Sequence, residues 1–171
     1  VWDAQQIPNR INISGEANLI LTDECSMTAL EGIHLKEGSK LTIYSQSTGE
    51  KEGILTATTD DGRAGIGGDL YESRVEITIN GGDITASSKY GAGIGGGSAS
   101  VTPAKITINR GTVTGESTSG GAGIGGGSNG QGDVTINDGT VTGKSAKGGA
   151  GIGGGVNNSG TVRINGGVVE A

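Results

Sequence analysis

Apolar residues alternate with polar residues or glycine in short runs along most of this chain. Ile77-Thr78-Ile79, Ile106-Thr107-Ile108, Val134-Thr135-Ile136 and Val162-Arg163-Ile164 each place an apolar side chain at every second position. That period of two is the signature of a half-buried strand. An asparagine follows each run, at Asn80, Asn109, Asn137 and Asn165, spaced 29, 28 and 28 residues apart. Four residues beyond each asparagine stands Ile84, Val113, Val141 or Val169. A third block, Ala-Gly-Ile-Gly-Gly, precedes each run at 64–68, 92–96, 122–126 and 150–154. Its central residues Ile66, Ile94, Ile124 and Ile152 are 28, 30 and 28 apart. Three blocks in constant order, recurring at a fixed period, mean a stacked array of one repeated unit.

Each unit reads as three short strands separated by glycine-rich bends. Matching strands of successive units then stack in parallel. The expected fold is all-β, a right-handed parallel β-helix of about 28–30 residues and three strands per rung; the hand follows from the preference of parallel crossovers. Its thin core is predicted to consist of ladders. Ile33, Ile66, Ile94, Ile124 and Ile152 form one wall, and Leu41, Ile77, Ile106, Val134 and Val162 another. A single domain over 1–171 is expected, with 63–171 as regular rungs and 9–62 as degenerate ones. Within the latter, Ile11 and Ile13, then Leu19 to Leu21, are read as the second and third strands of a first, partial rung. Segment 1–8 is expected to cap that rung, through Trp2 and Ile7. The apolar finish at Val168-Val169 suggests an excerpt of a longer chain, or an end that pairs with another copy.

Composition removes the competing architectures. Glycine supplies 37 of 171 residues, too many for a helical bundle, since each interior helical glycine costs about 1 kcal/mol. Collagen needs glycine at every third position and abundant proline, and here there are 2 prolines. Twelve basic against 18 acidic residues give a net charge of −6, which argues against a nucleic-acid partner. No apolar run reaches membrane-spanning length, so no membrane insertion is expected. Cys25 is the only cysteine and reads as a small buried apolar residue.

The runs Gly91-Ala92-Gly93-Ile94-Gly95-Gly96-Gly97 and 121–127, the paired strands Ile77–Ala86 and Ile106–Thr114, and the stretch Leu41-Thr42-Ile43-Tyr44 carry a resemblance. The chain resembles the glycine-rich parallel β-helix repeats of secreted or cell-wall proteins of Gram-positive bacteria. That group is loosely related to pectate-lyase-like β-helices. The resemblance implies an extracellular or cell-wall location, a neighbourhood of carbohydrate-binding modules, and scaffold rather than catalysis.

The asparagines are expected to fall at one bend and to bond up the column, as in the ladders of pectate-lyase-like helices. Ser14 and Tyr44 replace asparagine in the two degenerate rungs. If Ala92 and Ile94 point inward, then Gly93 and Gly95 point out, and four successive rungs expose bare backbone. Such a face would suit a flat partner: a glycan, a second copy, or another part of the polypeptide. Tyr71 and Tyr90 lie in the loops beside it and could stack on sugar rings. Arg63, Asp69 and Lys89 would supply polar partners, with His34 one rung below. No cofactor, metal ligand set or catalytic residue is assigned. Gly91 to Gly96 fits GxGxxG but opens no helix. The glycine runs lead to Ser98 and Ser128 rather than the aspartate of calcium-binding rolls. Thr112-Val113-Thr114 and Thr140-Val141-Thr142 are too short an array for ice binding. Asp60, Asp61 and Asp69 form the only dense acidic group, with no carboxylate pair suited to polysaccharide hydrolysis. The expected function is therefore a non-catalytic β-helical module of a bacterial surface protein, in a stalk, adhesin or carbohydrate-binding role. A self-association module and a fragment of a polysaccharide lyase or hydrolase are the alternatives.

Overall fold

The computed structural model describes residues 4–49, 51–72 and 74–171. Short strands follow one another with no helix among the described residues. β1 (Gln5–Ile7) precedes a rung made of β2 (Ile11–Ile13), β3 (Glu16–Leu21) and β4 (Ser26–Ala29). β5 (Ile33–Leu35), β6 (Lys40–Ser45) and β7 (Ile54–Thr58) make the next. β8 (Ile66–Gly67) leads into a long strand, β9 (Glu76–Ser88), and β10 (Ile94–Gly95) into β11 (Ala104–Ser117). Each long strand shifts register near its asparagine and serves two columns. β12 (Ile124–Gly125), β13 (Gly132–Ile136) and β14 (Thr140–Ser145) follow, then β15 (Ile152–Gly153), β16 (Gly160–Ile164) and β17 (Val168–Glu170).

Every strand pairing is parallel, and the strands fall into three columns. The first is a 6-stranded sheet, β15-β12-β10-β8-β5-β2. The second runs β3-β6-β9-β11-β13-β16 and the third β1-β4-β7-β9-β11-β14-β17; the two share the long strands and form an 11-stranded sheet. The chain is thus a β-solenoid with its core inside the coil. Alternation explains the packing. In β6, Leu41 and Ile43 are buried while Lys40 and Tyr44 are exposed, and in β9 Ile77, Ile79, Ile84 and Ala86 all face inward. Both predicted walls exist as in-register ladders, but Val162, at the end of the second, is exposed rather than in the core. Cys25 is half-buried and packs against this core.

The N-terminal rungs differ from expectation. Ile11 and Ile13 pair with Ile33 and Leu35, so they belong to the first column, not the second. Leu19 and Leu21 lie in the second column, opposite Ile43 and Ser45. Gly15, with φ at 88°, makes the corner between β2 and β3. Ile20, not Ser14, stands opposite Tyr44 at the ladder position. Ile7 pairs with Ala29 and extends the third column. Trp2, the other half of the expected cap, lies outside the described residues.

The asparagines form one line. Asn109 Nδ2 donates to Asn80 Oδ1, Asn137 to Asn109 and Asn165 to Asn137, each at 2.7 Å. Tyr44 stands opposite Asn80 below them. A mid-ladder amide makes two such bonds and the last makes one. Asn109→Ala should therefore cost about 1–2 kcal/mol and Asn165→Ala about half of that. Chemical denaturation of the two variants checks the ordering, and equal losses would mean that the ladder bonds add no stability.

Outward-facing positions of the second column carry a different regularity. Glu16, Lys40, Glu76, Lys105 and Asp133 stand opposite one another in register. Their signs alternate strictly. Lys40 Nζ lies 3.5 Å from Glu16 and 3.7 Å from Glu76.

Candidate functional site

The glycine blocks are not straight strands with an open outer face. Within each block the first N–H reaches the last carbonyl: Ala64 N–H donates to Gly68 O, Ala92 to Gly96, Ala122 to Gly126 and Ala150 to Gly154, at 2.8–3.0 Å. Each block therefore closes into a narrow arch with its isoleucine at the inward tip. The segments leaving the arch run side by side and bond to the neighbouring rung. Gly62 O accepts from Ser98 N–H, Tyr90 O from Ser128 N–H, and Gly120 O from Val156 N–H.

Gly93 and Gly95 are consequently buried, which corrects the expected exposed platform. A Cβ on Gly93 would lie 2.4 Å from Glu116 N and 2.6 Å from Ala86 O, both in the third column. On Gly95, whose φ is 134°, it would lie 2.1 Å from Gly125 O of the next arch. Glycine serves backbone-to-backbone packing within the chain. Apolar–glycine alternation over five residues imitates a strand, but the same glycines permit the bend.

The other expected site residues divide into two groups. Tyr71 and Tyr90 project from the loops at 71% and 42% exposure. The Lys89 ammonium sits 5.2 Å from the centre of the Tyr90 ring, a cation–π contact within one loop. His34, Asp69 and Arg63 belong instead to a charged network where the straight first-column strands meet the first arch.

His34 is the middle residue of β5, between inward Ile33 and Leu35, so its ring points outward. It occupies the position that Gly67 takes one rung on. The ring is nevertheless buried, with Asn12 against one nitrogen and Asp69 and Glu72, from the segment leaving the first arch, against the other. Nδ1–H donates to Asn12 Oδ1 at 2.8 Å, and Asn12 is oriented by its own Nδ2 donating to Arg10 O. On the other side, Nε2 lies 2.5 Å from Glu72 Oε2 and 3.6 Å from Asp69 Oδ2. These three side chains offer ligand atoms within 4.8 Å of one another.

Arg10 ties three rungs together. Its guanidinium donates to Glu31 O at 2.6 Å, Ala64 O at 3.1 Å and Asp69 Oδ1 at 2.7 Å. Burial lowers its pKa from the ordinary value, against the opposing pull of Asp69. Arg63 pairs with Asp61 at 2.7 Å and Glu31 at 2.9 Å. Its pKa is raised: desolvation acts downward, but the bonds to Glu31 and Asp61 outweigh it. Asp69 and Arg63, expected to meet a ligand beside the tyrosines, are thus engaged inside the protein. Sequence reasoning missed Arg10, Asn12, Glu31 and Glu72. Only register could have found them, and register is irregular here: Ile11 to Ile33 spans 22 residues and Ile33 to Ile66 spans 33.

Comparison with protein families agrees with this fold. A model described as a β-helix repeat matches residues 77–98 and 134–156. Each match runs from a second-column strand through the third column into or through a glycine arch. The chain is a parallel β-solenoid, and these two stretches of it match a β-helix repeat. No curated protein and no solved structure matches it. Among the described residues no helix is long and apolar enough to cross a membrane. Along the solenoid the first three arches are buried, while Tyr71 and Tyr90 stand exposed on loops and Tyr44 on β6.

Proposed function

We propose that this β-helix repeat chain is a non-catalytic module of an exported bacterial surface protein, serving as a stalk or adhesive segment. The observation that carries this reading is the closure of the arches. The glycine column, which offered the flattest face in the sequence, is consumed by packing between rungs. The charged groups suited to catalysis are tied to one another in the same way. His34 has both ring nitrogens engaged, and Arg10 and Arg63 are held by neighbouring carboxylates. Such an arrangement suits transmission of shape and load along the coil. Incubation with uronate-containing and neutral polysaccharides should release no new reducing ends or unsaturated products. Cleavage that disappears in Asp69→Asn would replace this reading with the lyase or hydrolase alternative.

Carbohydrate contact is the more specific form of the adhesive role, and one observation favours a place for it. Tyr71 and Tyr90 are exposed rings on loops, with Lys89 beside the second. Sugar stacking on such rings contributes about 1 kcal/mol. On a glycan array, any ligand found should bind Tyr90→Ala about fivefold more weakly, with an unchanged melting curve. Equal binding by native chain, Tyr71→Ala and Tyr90→Ala would remove the tyrosines from the account.

A further inference from the structure

We propose that His34, Asp69 and Glu72 form a binding site for a single zinc-class divalent cation that pins the straight N-terminal rungs to the first glycine arch. This goes beyond the stalk reading and does not depend on it. The three ligand atoms come from two rungs: His34 Nε2 from β5, and Asp69 Oδ2 and Glu72 Oε2 from the segment after β8.

The orientation of the histidine is the first support. A metal-binding imidazole donates its far N–H to an oxygen that fixes ring and tautomer. Asn12 does this for His34, and Asn12 is itself fixed by Arg10 O. With Nδ1–H so placed, Nε2 faces two carboxylates inside a buried setting. Something positive must stand between them, either a proton or a metal ion. The carboxylates are oriented in turn. Asp69 Oδ1 is held by Arg10, which leaves Oδ2 toward the imidazole, and Glu72 Oε2 accepts from Asp69 N–H at 3.2 Å.

Charge and geometry agree with this. The network holds two guanidiniums, Arg10 and Arg63, against four carboxylates, Glu31, Asp61, Asp69 and Glu72. Two minus four leaves −2 before the imidazole is counted, which a divalent cation balances. Two ligands of one tetrahedral zinc stand about 3.3 Å apart. The Nε2–Oδ2 separation of 3.6 Å is close to that. The Nε2–Oε2 separation of 2.5 Å is a hydrogen bond. Glu72, about one-third exposed, needs to withdraw by less than about 1 Å toward solvent to admit the ion. One proton between Nε2 and Oε2 then passes to solvent, and water completes the coordination. An imidazole with two carboxylates selects a borderline ion such as Zn2+ over Ca2+, which takes oxygen ligands.

Because the chain has a single histidine, the test reads one ring. Imidazole 15N–1H spectra of the intact chain are recorded during titration with zinc chloride alone. The expected result is one saturating change at one ion per chain, at Nε2, with Nδ1–H retained. Calcium chloride should leave the ring signals in place. By calorimetry Glu72→Gln and Asp69→Asn should weaken binding more than tenfold, and Asn12→Ala about tenfold. Unmoved ring signals at millimolar zinc overturn the proposal, as does undiminished affinity in Glu72→Gln. The native-chain spectrum decides even if a variant folds poorly.

Discussion

Ile124→Asp is expected to detach the C-terminal rungs from the rest of the coil. Ile124 is fully buried at the tip of its arch, in register between Ile94 and Ile152. The core there is one side chain thick in each rung, and its ladder neighbours are isoleucines. A carboxylate at that point has no partner and no water, which costs several kcal/mol. In a stacked array each rung contacts only its neighbours, so the damage falls on local coupling before the whole fold. Hydrogen exchange should show early loss of protection over 125–171, with protection retained through β5 and β6. The thermal transition should broaden or split. An unchanged melting curve and exchange pattern would mean that Ile124 does not face the core.

The second large effect concerns Gly95. Its φ of 134° is a backbone conformation that residues with a side chain rarely adopt, and a Cβ there would lie 2.1 Å from Gly125 O. Strain and collision add, so even Gly95→Ala should cost more than about 3 kcal/mol. Gly153 separates the two terms. It has φ of 135°, yet its nearest atoms to a Cβ are Ala150 Cβ at 3.5 Å and Val162 Cγ2 at 3.6 Å. Gly153→Ala therefore carries strain without collision and should cost about 1–2 kcal/mol. The difference between the two denaturation midpoints measures the collision. Equal losses would show that the arches spread apart to admit a methyl group, and that the tight stacking is not what selects glycine at 95.

These two residues also show what the sequence made legible. Ile124 could be placed because its spacing repeats and its neighbours in the ladder are the same residue type. The second and third columns were readable for the same reason, and the asparagine line followed from equal intervals. Gly95 was placed on the wrong side of the chain. An alternating five-residue block is compatible with a strand and with an arch. What decides is the Ala92 N–H to Gly96 O closure, which depends on both flanking segments bonding to adjacent rungs. The charged network was illegible for another reason. Arg10 and Asp69 are 59 residues apart, and rungs of unequal length lie between them. Their meeting is set by the sum of several loop lengths, none of which carries a pattern. His34 was noted as a neighbour of the first column. Its ring is engaged by Asn12, Asp69 and Glu72, which no repeating pattern placed beside it.

The alternating signs of Glu16, Lys40, Glu76, Lys105 and Asp133 constrain how such a chain can change length over generations. Repeats are gained and lost by recombination between equivalent positions, and the apolar ladders tolerate any whole number of rungs. The charge column does not. Excising one rung, so that the residue before Lys105 is joined to Asp133, sets Glu76 directly against Asp133. Excising the two rungs that hold Glu76 and Lys105 leaves Lys40 against Asp133 and keeps the alternation. Each like-charged pair costs only about 0.2–1 kcal/mol at an exposed position. A bias of that size, acting on every duplication, favours lineages whose coils differ by an even number of turns.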